Sequence, residues 1–93
     1  MEQPGVYILQ SEKDNSYYIG STSNLHRRLM QHEKGYVTTT KNKRPLEFKA
    51  FLPCDTLTEA RQAEYRLKNY KRRDIIEKVI SDKTFPWKKQ MRV

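Results

Sequence analysis

The sequence predicts an α+β fold: a three-stranded, mainly antiparallel sheet flanked by helices, with elements in the order β-β-α-β-α-α. Residues 5–11 and 17–20 are short β-branched and aromatic runs separated by a polar turn, as in a hairpin. Residues 46–52 alternate apolar and polar side chains, as a half-buried strand does. The other apolar residues recur at helical spacing, and helices packed on one sheet bury them compactly.

Turn and cap residues mark the ends of the first elements. Residues 14–16, Asp-Asn-Ser, can hydrogen-bond their own backbone and so favour the hairpin turn. Residues 21–24, Ser-Thr-Ser-Asn, offer N-cap side chains for a helix over residues 25–34. Gly35 favours the end of that helix.

The first helix places two adjacent arginines differently. Leu25 and Leu29 are four residues apart and share one face. At about 100° per residue, Arg28 and His32 lie at the edge of that apolar stripe. Arg27 points away, so we expect Arg27 in solvent and Arg28 beside the sheet.

A basic loop, a strand and two helices are predicted after the first helix. The loop covers residues 36–45, and helices are expected over 58–72, after a capping-box pattern, and over 74–82. Strand 46–52 should bury one face, which consists of Leu46, Phe48, Ala50 and Leu52. The inward stripe of the first of these two helices should consist of Ala60, Ala63, Leu67 and Tyr70.

Length and composition fit one small domain. The 93 residues are 35% hydrophobic and 32% charged, but the apolar ones fall in periodic blocks, so we expect a folded domain over residues 1–82. Residues 83–93 carry basic residues, including Lys89 and Arg92, around Phe85-Pro86-Trp87. There we expect a loosely ordered basic tail pinned by Trp87.

Charge favours a polyanionic partner. Lys and Arg number 19 against 11 Asp and Glu, a net charge of +8, which favours nucleic acid because neutralised phosphates release counterions. The alternative is a merely solvated basic surface. The basic residues expected to follow a phosphate backbone are Lys41, Lys43, Arg44, Arg61, Arg66, Lys68, Lys71, Arg72 and Arg73.

The expected compartment is the cytoplasm. Cys54 is the single cysteine, so no internal disulfide can form, and a reducing compartment is the default. We find neither a secretion-signal pattern nor a long apolar run, and expect no membrane insertion.

Five residues stand out as candidates for chemistry, although each has an ordinary structural alternative. Tyr7 and Tyr18 are either half-buried strand residues or phenols that position or deprotonate a water, the latter if a positive charge lowers their pKa. Arg28 can supply that charge or stabilise a pentavalent phosphorus. His32 is either a proton donor or acceptor or a satisfied core residue. Glu64 suits magnesium, which keeps most of its waters, or else pairs with a lysine one turn on.

Together these residues resemble the GIY-YIG nuclease family, in particular its small stand-alone members, which are related to the N-terminal nuclease domain of a bacterial excinuclease. Gly5-Val6-Tyr7 and Tyr18-Ile19-Gly20 resemble the naming motif, with 10 residues between the two tyrosines. Residues 24–32, Asn-Leu-His-Arg-Arg-Leu-Met-Gln-His, are similar to the family's first helix, and residues 63–68 to its second-helix block. The resemblance covers about residues 4–80.

The resemblance implies a β-β-α-β-α core, one divalent ion, Mg²⁺ or Mn²⁺, and hydrolysis of DNA phosphodiester bonds. It implies that Tyr7 or Tyr18 activates the water, Arg28 stabilises the phosphorane, His32 assists proton transfer and Glu64 holds the metal. Two features depart from the family pattern. Val6 replaces isoleucine, and no asparagine after the second helix matches the one that some members carry, since Asn69 is too close to Glu64.

The leading hypothesis is therefore a metal-dependent DNA endonuclease. The alternatives are a non-catalytic nucleic-acid-binding module that retains the fold, and a structural adaptor, for which the sequence offers only the region around Trp87. Repair, recombination, restriction and mobile-element roles all stay open, as do the preferred DNA and the oligomeric state. So small a domain is also compatible with a protein partner that supplies substrate specificity.

Overall fold

Three strands and three helices follow one another in the predicted order. The structure is a computed structural model that describes residues 3–88. The elements are β1 (Gly5–Ser11), β2 (Tyr17–Thr22), α1 (Leu25–Glu33), a short 3₁₀ helix (Lys41–Lys43), β3 (Leu46–Pro53), α2 (Leu57–Tyr70) and α3 (Arg73–Asp82). The predicted α+β class and element order are confirmed.

The sheet is antiparallel throughout, and its two faces hold different residues. β1 lies in the centre between β2 and β3. Tyr7 lies opposite Gly20, and Leu9 lies opposite Tyr18, so these four residues share one face. The other face belongs to the main core, where buried residues of the sheet pack with residues of α2 and α3: Val6, Ile8, Ile19, Ala50, Leu52, Ala60, Ala63, Leu67, Ile76 and Val79.

A β-bulge corrects the predicted face of β3. Ile8 pairs with Ala50, but the next residue of β1, Leu9, pairs with Phe48. Because adjacent residues of β1 point to opposite faces, Phe48 and Ala50 do so too. The prediction that Leu46 and Phe48 share a buried face with Ala50 and Leu52 is wrong: Leu46 pairs with Ser11 on the Leu9 face, and Phe48 on that face is 47% exposed.

Local caps set the bounds of α2. The Thr56 side chain accepts a hydrogen bond from the Glu59 N–H, so the helix begins at Leu57. The helix ends at Tyr70, two residues before the predicted end, because Lys71 adopts a left-handed backbone with φ 53°. Of the predicted inward stripe, Ala60, Ala63 and Leu67 are buried and Tyr70 is half-buried.

The start of the predicted tail packs on the domain. Phe85 belongs to the core, Trp87 stacks on it with ring centroids 4.9 Å apart, and the Arg66 guanidinium lies 4.0 Å from the Trp87 ring. Residues 83–88 are thus attached through Phe85 as well as Trp87. Lys89 and Arg92 lie outside the described residues, and a domain boundary at residue 82 stays a prediction.

No helix between residues 3 and 88 has both the length and the apolar character that a membrane crossing requires.

Candidate active site

A buried hydrogen-bonded cluster forms between the centre of the sheet and α1. Tyr7, on β1, is 0% exposed, and its hydroxyl lies 2.8 Å from Nε2 of His32. Nε of Arg28 donates to the same hydroxyl at 3.2 Å. Arg28 and His32 are one turn apart on α1, which Asn24 starts by accepting the Arg27 N–H at 3.1 Å. As predicted, Arg28 lies beside the sheet and Arg27 is exposed.

Gly20 leaves room for this cluster. A Cβ at Gly20 would lie 2.5 Å from both Cζ and the hydroxyl oxygen of Tyr7. Because the two residues are paired across β1 and β2, any side chain at residue 20 would displace the Tyr7 ring. The position of the Tyr7 ring therefore requires glycine at residue 20, directly after Tyr18-Ile19.

Thr40 fixes the other side of His32. Its Oγ1 lies 2.7 Å from Nδ1 of His32, and Thr40 is 0% exposed. The Tyr7 oxygen already accepts from Arg28, so its own proton needs an acceptor. The tautomer with the proton on Nδ1 supplies one, because Nδ1 donates to Thr40 and Nε2 accepts from Tyr7. We therefore assign the Nδ1–H tautomer, in which the Thr40 hydroxyl accepts and the Tyr7 hydroxyl donates.

The cluster combines one permanent cation with two neutral groups. Burial raises the pKa of Tyr7 to about 12, although the hydrogen bond from Arg28 acts in the opposite direction. Burial and the positive charge of Arg28 lower the pKa of His32 to about 4. The hydrogen bond to Tyr7 raises the pKa of Arg28 further. At neutral pH, Tyr7 is therefore a phenol and His32 a neutral imidazole, so Tyr7 does not meet the condition of a lowered pKa that deprotonating a water requires.

Tyr18 lies beside the cluster but closer to solvent. Its ring centroid is 6.1 Å from that of Tyr7 and 5.1 Å from that of His32. The ammonium group of Lys68, on α2, lies 5.8 Å from the Tyr18 ring centroid. Tyr18 is half-buried, because β2 is an edge strand, whereas Tyr7 is fully enclosed. Tyr18 therefore connects the buried cluster to the surface.

Glu64 reaches the same edge strand from α2. Its Oε1 accepts from the Ser21 hydroxyl at 2.6 Å, and its Oε2 pairs with Nζ of Lys68 at 2.6 Å. The Glu64 side chain is 20% exposed. Ser21 pairs with Val6 and so lies on the α2 face of the sheet, and Lys68, near the Tyr18 ring, links Glu64 around the sheet edge to the face that carries Tyr7. The intrahelical pair that was the structural alternative for Glu64 is thus present.

The donor set around Glu64 fits a single hard divalent ion. Within residues 3–88, no group of three or more His, Cys, Asp or Glu side chains forms a metal cage. One partly exposed carboxylate suits Mg²⁺ or Mn²⁺, which take their remaining ligands from water and phosphate. The Lys68 ammonium holds Oε2, and the Lys68 side chain is 48% exposed.

The basic residues divide between two concavities. A groove of about 550 Å³ beside Tyr18 contains Lys43, Lys68, Lys71, Arg72 and Arg73, which we call the basic groove. Lys41 and Arg44 line a separate cavity, which His32 also borders. Arg61 is exposed on α2 and lines neither, and Arg66 lies over Trp87.

Three neighbours of the site had no signal in the sequence. Thr40 lies in a polar loop without periodicity, and only its burial against His32 singles it out. Ser21 was one of several candidates for a helix cap, but it binds Glu64 instead. Gln31 accepts a hydrogen bond from Nη1 of Arg28 at 2.8 Å. Its position one turn from Arg28 was the only hint.

Comparison with known proteins gives one consistent family. The model described as the GIY-YIG catalytic domain matches residues 3–79. UPF0213 protein YazA of Bacillus subtilis (strain 168) is 42% identical over 62 residues, 66% of this chain and 63% of that protein. UPF0213 protein OB0043 of Oceanobacillus iheyensis is 40% identical over 72 residues, 76% of this chain and 83% of that protein. UPF0213 protein SSP2268 of Staphylococcus saprophyticus is 31% identical over 83 residues, 88% of this chain and 99% of that protein. No solved structure matches at comparable significance. With the strand–strand–helix order and the Tyr7–Arg28–His32 cluster, these matches establish that the chain belongs to the GIY-YIG catalytic domain family.

Proposed function

We propose that this protein is a metal-dependent DNA endonuclease. The family implies a DNA substrate and a divalent metal ion. The observation that carries the proposal is the joint presence, around one edge strand, of Tyr18, the Tyr7–Arg28–His32 cluster and the Glu64 carboxylate. The basic groove opens beside Tyr18, where a polyanionic backbone finds four cationic residues in addition to Lys68.

The reaction is hydrolysis of a phosphodiester. A water oxygen bonds to phosphorus, and the bond from phosphorus to the leaving sugar oxygen breaks. Tyr18 holds the attacking water, because it is the less buried tyrosine, and passes the water proton to solvent. The leaving oxygen takes a proton back from solvent. When a divalent ion is bound at Glu64, it lowers the pKa of its water and polarises the phosphate.

Arg28 stabilises the negative charge that develops on the phosphate oxygens. Nε and Nη1 donate to Tyr7 and Gln31, and these two hydrogen bonds fix the plane of the guanidinium. Tyr7 is fully buried, so it acts as a positioning residue for Arg28 rather than as the base. His32 is 1% exposed and acts through Tyr7, whose hydroxyl it orients by accepting its hydrogen bond.

The test is a nicking assay on supercoiled plasmid and on branched DNA, with Mg²⁺ or Mn²⁺. We expect Glu64→Gln and Arg28→Ala to lower the nicking rate by about 10²-fold or more, because each removes charge stabilisation of the transition state. The matched control is Glu12→Gln, the same substitution at an exposed carboxylate in the hairpin turn, which should nick like wild type. No nicking by wild type, or equal nicking by Glu64→Gln and Glu12→Gln, would contradict the proposal.

One observation favours a non-catalytic DNA-binding module instead. The Lys68 ammonium already holds the carboxylate of Glu64, which is a stable ion pair without any metal. That function predicts salt-sensitive DNA binding that survives EDTA, with no cleavage product in the presence of any metal ion.

Preference for branched DNA in the nicking assay would connect the proposed endonuclease to repair or recombination.

A further inference from the structure

A second concavity lies on the sheet face that carries Tyr7. It has a volume of about 720 Å³, within the range that holds nucleotide-sized ligands. Its apolar surface comes from Leu9, Leu29, Leu46 and Phe48, and His32 forms part of its wall. We call it the His32 cavity.

The bulge in β3 supplies this cavity with an exposed aromatic ring. Because Phe48 pairs with Leu9, it projects from the face opposite Ala50 and the main core. Phe48 is 47% exposed, which is unusual for an aromatic residue inside a strand of a small domain. An exposed ring in a concave site is a surface on which a planar base can stack.

The rim of the His32 cavity is positively charged. Lys13, Lys41 and Arg44 line it together with a single carboxylate, Glu33. Arg44 is held in place, because Nε donates to the Lys41 carbonyl at 3.0 Å and Nη1 to the Glu33 carbonyl at 3.1 Å. Those bonds leave the Nη2 nitrogen of its guanidinium to donate to an anion. An apolar floor under a cationic rim matches a base attached to a phosphate.

The cavity is also connected to the proposed DNA path. The short 3₁₀ helix Lys41–Lys43 separates it from the basic groove, with Lys43 on the groove side and Lys41 on the cavity side. A strand that follows the groove past Tyr18 meets the cavity on crossing this helix. His32 borders both the cavity and the Tyr7 cluster.

We infer that the His32 cavity binds one unpaired nucleotide of the DNA substrate, with its base on Phe48 and its phosphate at Lys41 and Arg44. This rests on the proposed function only in taking DNA as the polymer. A paired base cannot enter the cavity without leaving its duplex, which costs a few kcal/mol. The protein therefore prefers DNA with a single-stranded tail or flap over a blunt duplex.

The experiment compares binding of two DNAs by fluorescence anisotropy in EDTA, so that no cleavage is needed. One is a blunt duplex, and the other is the same duplex with a short single-stranded tail that carries 2-aminopurine. We expect wild type to prefer the tailed DNA and Phe48→Ala to reduce that preference by about 5- to 30-fold, the effect of losing one base–aromatic stack. Phe48→Tyr should retain it. The matched control is Tyr36→Ala, which removes an aromatic residue that is 74% exposed outside the cavity and should change nothing.

The outcomes separate this inference from the proposed function. Quenching of 2-aminopurine that depends on Phe48 supports the cavity even if the plasmid is never nicked. Equal binding of both DNAs by wild type, or equal loss on both DNAs in Phe48→Ala, overturns the inference even if nicking occurs. A free deoxynucleoside monophosphate that binds with the same Phe48 dependence, without any preference for tailed DNA, also overturns it in favour of a small-molecule site.

Discussion

At the scale of single residues, the hydroxyl of Thr40 is the buried hydrogen-bond partner of His32 in the Tyr7–Arg28–His32 cluster. It holds Nδ1 of His32 at 2.7 Å, and His32 in turn accepts from Tyr7, which orients Arg28. Thr40→Val has nearly the same shape but leaves Nδ1 buried without an acceptor, whereas Thr40→Ser keeps the hydroxyl. If the protein is the proposed endonuclease, we expect Thr40→Val to nick about 10- to 100-fold more slowly and Thr40→Ser to nick like wild type.

A second measurement distinguishes this role of Thr40 from a general structural defect. The ¹⁵N chemical shifts of the His32 ring report which nitrogen carries the proton, and they do not depend on catalysis. We expect the Nδ1–H tautomer in wild type and Thr40→Ser, and a mixture in Thr40→Val. Identical ring shifts in Thr40→Val and wild type would remove Thr40 from this role.

The buried His32 also makes stability depend on pH. Its pKa is about 4 in the folded protein against 6.5 in the unfolded chain, so the unfolded chain binds the proton first as pH falls. Stability is therefore fully present above about pH 6.5 and is lost as pH falls through the interval down to about 4. We expect a loss of about 2–3 kcal/mol in the free energy of unfolding, measured by urea denaturation from pH 7 to pH 4.

His32→Gln separates this effect from the titration of carboxylates. The pKa of Asp14 and that of Asp74 are lowered by hydrogen bonds to Lys43 and Arg72, so these groups lose their stabilising charge at lower pH. Both carboxylates are present in wild type and in His32→Gln. The difference between the free energies of unfolding of the two proteins at each pH therefore isolates His32. A pH profile that is the same in both proteins would show that His32 is not the titrating group.

At the scale of elements, hydrophobic periodicity was enough to predict the strands and helices whose residue spacing contains no inserted residue. The hairpin, α1 and α3 begin and end within one residue or two of their predicted bounds, because caps and turns are local. β3 is different, since the bulge inserts a single residue at Lys49 and moves Phe48 to the other face. The sequence alternates on both sides of the bulge, so alternation alone cannot reveal it.

The same limit applies to contacts between elements. The position of Arg28 and His32 at the edge of an apolar stripe follows from α1 alone, and so it was predictable. Ser21 against Glu64 and Thr40 against His32 join segments that are 43 and 8 residues apart, and no local pattern specifies them. Phe85 likewise packs in the core with residues of α2 and α3, which the sequence around residue 85 does not specify.

At the scale of the whole molecule, DNA binding depends more on where the basic residues lie than on the size of the net charge, +8. The basic groove concentrates part of that charge beside Tyr18, whereas Lys78 and Lys83 lie outside it. If DNA follows the groove, replacing groove cations should weaken binding to every sequence alike. It should also lower the dependence of binding on salt, because fewer counterions are released.

Two double variants with the same net charge test this location. Lys71→Ala with Arg72→Ala removes two groove cations, and Lys78→Ala with Lys83→Ala removes two outside it. The two pairs are matched in structure. Lys71 and Lys83 each end a helix in the left-handed region, with φ 53° and 59°. Arg72 and Lys78 each form an ion pair with an aspartate. In a plot of the logarithm of affinity against that of salt concentration, we expect the slope to fall by about 2 for the groove pair, about 1 per lost phosphate contact. The outer pair should keep the wild-type slope, since Debye screening at about 0.1 M salt limits distant charges to about 10 Å. An equal fall in both would mean that net charge, not the groove, attracts the DNA.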